Sequence, residues 1–118
     1  MDLKQHQLNL EENVIVPMLS FMEDWEDCDY TAEDVAQCKS LVTQYLKALD
    51  GMESPDDGAI MEQVEILVLA LNELNEATGY TLIETEAREA LWEVIQSSAV
   101  DAGLQEYGDD ITEQWREW

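Results

Sequence analysis

The sequence predicts an all-α protein: a compact bundle of four main helices plus a short C-terminal helix, forming one domain over residues 1–118. Three observations lead there. Apolar residues recur at spacings of three and four in several long segments, and no alternating strand pattern of useful length interrupts them. The length of 118 residues suits one core and is too short for a second. Hydrophobic residues make up 46% of the chain, with four Trp and four Tyr, which separates it from acidic disordered tails.

The first helix is expected over about Leu8 to Trp25, with Val14, Met18, Leu19 and Met22 on one face. Pro17 lies inside that pattern and predicts a kink or a break. A second helix opens at Thr31-Ala32-Glu33-Asp34, a hydroxyl N-cap followed by acids in the first turn. Its core face reads Val35, Cys38, Leu41, Val42, Tyr45 and Leu49, and Asp50-Gly51 ends it. The strongest periodicity follows Ser54-Pro55-Asp56-Asp57-Gly58, where Ile60, Val64, Leu67, Val68, Leu71 and Leu74 share a face. Ile66, Leu69 and Ala70 widen that apolar arc, which marks this helix as the central one. Ala77-Thr78-Gly79 supplies its stop, with Gly79 suited to a left-handed cap.

A fourth helix begins near Ile83-Glu84-Thr85-Glu86 and runs to Ala102, with Gly103 as terminator. Ala87, Leu91, Val94, Ile95, Ser98 and Ala102 form its inner stripe, and Trp92 flanks it. The last short helix is expected from Asp109 or Asp110, carrying Ile111 and Trp115. Short acidic loops join the elements.

Charge is the dominant feature. The chain holds 28 Asp plus Glu against 5 Lys plus Arg, a net charge of −23. A soluble domain needs a magnitude of only about 2 to 8. Binding to phosphate backbones or to anionic membrane surfaces is disfavoured by that sign, which excludes the nucleic-acid-binding class. Acids near helix starts are locally favourable, by roughly 0.3 to 1 kcal/mol each. That accounts for Glu33, Asp34, Asp56, Asp57, Glu84 and Glu86, but not for the scarcity of Lys and Arg.

Three clusters stand out as candidate partner-binding residues. The segment from Glu23 to Asp34 has seven acids and no base, and within it Glu23, Asp24, Trp25, Glu26, Asp27, Asp29 and Tyr30 mix carboxylates with aromatics. On the central helix, Glu62, Glu65, Glu73 and Glu76 fall on one narrow stripe at about 100° per residue. At the C-terminus, Asp109, Asp110, Trp115 and Trp118 repeat the acidic and aromatic mixture. Such Trp and Tyr side chains can anchor an interface while an acidic rim steers a basic partner. The alternative is that the stripes are solvated faces and the Trp side chains cap the ends of the core.

Catalytic chemistry is mostly missing. The single histidine, His6, sits in a polar N-terminal segment, and no phosphate-binding glycine loop or nucleophile elbow is present. Asp27-Cys28-Asp29 lacks the glycine of a calcium loop and has Cys38 where the closing Glu would stand. One constellation survives: the i, i+3 pairs Glu62–Glu65 and Glu86–Glu89, a pattern that holds Mg²⁺ for nucleotide pyrophosphate hydrolysis in some helical bundles. Cys28 and Cys38 read as reduced thiols, and the first residues contain no apolar run of a signal peptide. A cytoplasmic location is expected, with no catalytic residue, no metal and no cofactor.

The runs Leu71-Asn72-Glu73-Leu74-Asn75-Glu76, Leu82-Ile83-Glu84-Thr85-Glu86-Ala87-Arg88-Glu89 and Asp110-Ile111-Thr112-Glu113-Gln114-Trp115-Arg116-Glu117-Trp118 resemble small acidic bacterial proteins that serve as immunity partners in polymorphic toxin systems. The likeness covers about residues 71 to 118 and carries no functional residues across. It implies a non-enzymatic inhibitor whose partner is a basic toxin or nuclease. A DNA mimic that inhibits DNA-binding proteins shares the same physics, and the Mg²⁺-dependent hydrolase is the third expectation.

Overall fold

The structure is a computed structural model describing residues 1–118, and it is all-helical. The helices are α1 (Leu3–Leu10), α2 (Val16–Asp24), α3 (Ala32–Asp50), α4 (Asp57–Ala77) and α5 (Thr85–Ala102), with a π-helical turn at Glu11–Ile15 between the first two. Because α1, the π turn and α2 follow one another without a gap, they make one long first helix, and the bundle has four main helices as expected.

The first helix starts earlier than periodicity suggested. Asp2 caps α1 by accepting from the Gln5 N–H, and His6, in a segment that reads as polar, is only 7% exposed. Its Nε2 lies 2.8 Å from the Asp101 carboxylate near the end of α5. A partner 95 positions away decides that burial. The interruption expected at Pro17 takes a different form as well. Proline gives no N–H and its ring crowds the carbonyl of residue i−4. The helix widens to a π turn just ahead of Pro17 and continues with αR dihedrals at Ile15 and Val16.

Local chemistry places the other ends as the sequence predicts. Thr31 and Asp34 form a reciprocal capping box on α3, and Asp56 accepts from the Ala59 N–H at the start of α4. Gly79 has φ +68 and Gly103 φ +119, each just past a helix. Behind Gly79, Tyr80 N–H reaches the Asn75 carbonyl and Gly79 N–H the Glu76 carbonyl. Leu104 and Gly103 repeat this on Ala99 and Val100, so both helices end in the same doubly bonded left-handed cap.

A cluster of 25 buried apolar residues joins all the helices. The predicted face of α4 is inside at every position, Ile60, Val64, Leu67, Val68, Leu71 and Leu74. Ile66 and Leu69 are a correction: they are 55% and 45% exposed and belong to the outward face. A helix packed on one side has room for one apolar arc, and the neighbours of α4 cover only the face centred on Val64 and Leu71. On α3, Val35, Cys38, Val42, Tyr45 and Leu49 are buried, while Leu41 is half-buried. Tyr45 donates to the Ile95 carbonyl at 2.8 Å, tying α3 to α5 inside the core.

The short C-terminal helix is reduced to one turn, with Arg116 N–H on the Thr112 carbonyl. Polar side chains of α4 and α5 hold the segment after Leu104. The Asp57 carboxylate accepts from the Gln105 and Glu106 N–H groups at 2.8 and 3.0 Å. Gln96 accepts from Ile111 N–H, and its own orientation is fixed by the Trp92 indole N–H. Asn72, buried on α4, donates to the Trp115 carbonyl at 2.8 Å and accepts from Glu117 N–H at 3.0 Å. Replacing a residue that satisfies two main-chain groups leaves both unpaired. Asn72→Ala is expected to lower unfolding stability by about 1 to 3 kcal/mol. It should also expose the Glu117 amide to rapid hydrogen exchange; unchanged protection would show that Asn72 does not hold the tail.

Candidate interaction surface

The carboxylates divide by residue type. Aspartates carry the structural hydrogen bonds: Asp2, Asp34 and Asp56 at helix starts, and Asp57, Asp101 and Asp110 on distant or neighbouring amides. A short side chain reaches local N–H groups that a glutamate overshoots. Glu11, paired with Lys39 at 2.8 Å, is the glutamate with a fixed partner. The other ion pair is Arg116–Asp110 at 3.1 Å, and His6 Nε2 is hydrogen-bonded to the Asp101 carboxylate at 2.8 Å. Lys4, Lys47 and Arg88 stand outside any ion pair. Lys4 and Lys39 line one hollow where α1 meets α3, away from the loop after α2.

Most of the expected site residues are surface carboxylates. Glu23, Asp24, Glu26, Asp27 and Asp29 are exposed, and none makes a side-chain hydrogen bond or ion pair of the kinds above. Trp25, at the end of α2, is 60% exposed. Tyr30 departs from expectation, because its ring is buried and its hydroxyl donates to the Met18 carbonyl at 2.7 Å. Burial, with Cys28 beside it, pushes the phenol up to about 12. Tyr30 therefore works as the floor of the loop and not as a free contact residue.

On α4, Glu62, Glu73 and Glu76 are exposed and Glu65 half-buried, and Ile66 and Leu69 rise between them. The stripe is thus an apolar ridge edged with carboxylates. At the C-terminus Asp109 is exposed, whereas Asp110 is occupied by Thr112 and Arg116. Trp115 and Trp118 are half-buried against the core, and Arg116 sits over the Trp118 ring at 5.5 Å. Here the capping alternative describes the side chains better than an open contact surface does. The pairs Glu62–Glu65 and Glu86–Glu89 do not converge, since no group of three or more His, Cys, Asp or Glu is placed to hold a metal ion.

One feature escaped the sequence. A cavity of about 440 Å³ runs between α2 and the first turn of α5, walled by Pro17, Met18 and Phe21 and floored by Tyr30 and Leu82. It continues into a smaller hollow of about 130 Å³ under Trp25, Cys28 and Asp29. The two share Phe21, Tyr30, Thr81 and Glu84. Phe21 stacks against Trp25 at 5.7 Å and against Tyr30 at 6.2 Å, so three nearly parallel rings form its wall. Only the i, i+4 spacing of Phe21 and Trp25 hints at this in sequence.

Both thiols are free; Cys38 is enclosed, and burial pushes it up to about 12. No helix is long and apolar enough to cross a membrane. No family model, curated protein or solved structure matches the chain. The likeness to immunity-type proteins consequently rests on the quoted runs alone.

Two outcomes follow from this electrostatic arrangement. Self-repulsion among unpaired carboxylates lowers stability, and salt screens it, so raising NaCl from about 20 to 500 mM should raise the unfolding temperature. A flat or falling response would mean that repulsion is negligible. Asp101 is held below the usual carboxylate range, first by the Asp2 N–H and then by the His6 hydrogen bond. A carboxyl with a lowered folded value stabilises above its unfolded value, and the contribution fades as pH falls through the folded one. Wild type should therefore exceed Asp101→Asn in stability at pH 6, with the gap closing below about pH 4. A gap that persists or widens in acid would contradict this.

Proposed function

We propose that this chain is a non-enzymatic inhibitor of the immunity type. It binds a basic protein partner, a nuclease-type toxin in its concrete form, and covers the surface with which that partner holds nucleic-acid phosphates. The observation that carries the reading is the mismatch between 28 carboxylates and two ion pairs to Lys or Arg. Solubility does not require it, and it costs stability through repulsion. A partner of opposite charge relieves that repulsion on binding. Electrostatic steering of this kind raises association rates to about 10⁸ M⁻¹s⁻¹ at low salt.

A second reading, the DNA mimic, is favoured by one dimension. The molecule is 46 Å long, and a net charge of −23 over that length is about one negative charge per 2 Å, against one per about 1.7 Å of duplex axis. The two readings differ in breadth: a mimic inhibits several unrelated DNA binders, whereas an immunity protein discriminates sharply.

Colony survival tests the proposal. Neighbouring open reading frames expressed in a susceptible cell should include one that kills in the absence of this chain and is tolerated in its presence. Killing unaffected by the chain, or no killing by any neighbour, removes the immunity reading. For the partner so identified, reversing Asp24, Glu26, Asp27 and Asp29 to Lys should slow association about tenfold or more at low salt. An unchanged rate would exclude that loop from the interface.

A further inference from the structure

We propose that the groove between α2 and the start of α5 is the anchor site for a basic peptide segment of the partner, which lays one arginine over the Phe21 and Trp25 rings. The inference rests on the inhibitor reading and names where the partner is gripped. Three independent features point to this occupant. The groove has an apolar floor and an exposed aromatic wall, with Trp25 60% exposed beside Phe21. Interfaces concentrate their binding energy at such aromatic anchors. Its rim is made of Asp27, Asp29, Glu84 and Glu86, and no Lys or Arg lines either part of it.

The third feature is the open end of α5. Helices α1, α3 and α4 are capped by Asp2, Thr31 and Asp56, whereas Glu84 at the N-cap of α5 makes no side-chain bond to the first turn. Thr85, Glu86 and Ala87 of that turn line the groove, and the N–H groups of an uncapped first turn call for acceptors. Main-chain carbonyls of a docked segment supply them. A peptide therefore matches all three surfaces at once: carbonyls on the α5 turn, an apolar side chain on Leu82 and Met18, a cation at the rim.

Arginine fits the cation position better than lysine. Its planar guanidinium stacks on an aromatic face and still presents N–H donors sideways to carboxylates such as Asp29 and Glu84. A second copy of this chain is the wrong occupant, because it would bring the same acidic rim against this one.

The test uses the full chain and two synthetic amidated peptides of equal length and charge, one with arginine and one with lysine as its cations. Amide chemical-shift mapping at low salt should place the arginine peptide on Phe21, Trp25, Thr81 and the residues of the first α5 turn. Its affinity should exceed that of the lysine peptide by about tenfold. Trp25→Ala, a change at an exposed site, and Phe21→Ala should each abolish that preference. Glu73→Gln with Glu76→Gln, on α4, should weaken both peptides alike. Shifts spread over the acidic faces with no arginine preference overturn the groove and leave the inhibitor reading standing. Binding that survives Phe21→Ala and Trp25→Ala unchanged overturns the groove as well. Failure of the inhibitor reading shows elsewhere, in the survival assay.

Discussion

The constraint on which the rest depends is repulsion among carboxylates that have almost no cations to pair with. Twenty-five buried apolar residues hold together a shell that pushes outward, so every other device in the fold works without a surplus of ion pairs. Helix starts are closed by Asp2, Asp56 and the Thr31–Asp34 box, where the positive end of the helix favours a carboxylate, and two helix ends by the uncharged Gly79 and Gly103. The long C-terminal segment is fixed by amide side chains, Asn72 and Gln96, together with Asp57 accepting main-chain N–H groups. A lysine could not do what Asn72 does, since it has no acceptor for Glu117 N–H. The carboxylates that build the molecule are therefore aspartates, six of the eleven, while the glutamates mostly cover it.

The departures from this economy are therefore informative. Asp24, Asp27 and Asp29, like Asp50 and Asp109, make no side-chain hydrogen bond, and these three lie beside the most exposed tryptophan in the chain. The α5 N-terminus is left open at a place where the rest of the chain closes such ends. Asp27, Asp29 and that open helix start meet at one groove. By contrast the C-terminal aromatics, which look equivalent in sequence, are taken up by the core and by Arg116. The α4 ridge of Ile66 and Leu69 is acidic at its edges, and the hollow of about 270 Å³ that Ile66 shares with α3 is lined by no carboxylate and no exposed aromatic ring, so the ridge suits steering and rim contact better than anchoring.

What was legible in the sequence is what is local. The helical arcs of α3, α4 and α5, the Thr31 and Asp56 caps, and the Gly79 and Gly103 terminators all follow from residues within one or two turns of each other. What was hidden depends on distant partners. His6 is buried because Asp101 waits at the far end of α5, and the tail docks on α4 because Asn72 lies opposite it. Tyr30 sits inside because the Met18 carbonyl accepts its hydroxyl. Pro17 announced an irregularity, but a proline specifies only which hydrogen bond is lost, and the neighbouring residues chose a π turn over a break. Ile66 and Leu69 misled because an apolar residue on a helix records no direction. The groove needed two elements, α2 and α5, brought together across sixty residues of chain.

On the proposed function, the free carboxylates occupy the phosphate sites of a basic protein. The most direct measurement is a displacement titration: duplex DNA bound to the partner against which the chain protects, with this chain added at about 50 and 200 mM salt. The account predicts release of the duplex at one chain per partner, with an affinity that falls steeply between the two salt concentrations. A ternary complex retaining the duplex, or an affinity indifferent to salt, would contradict it.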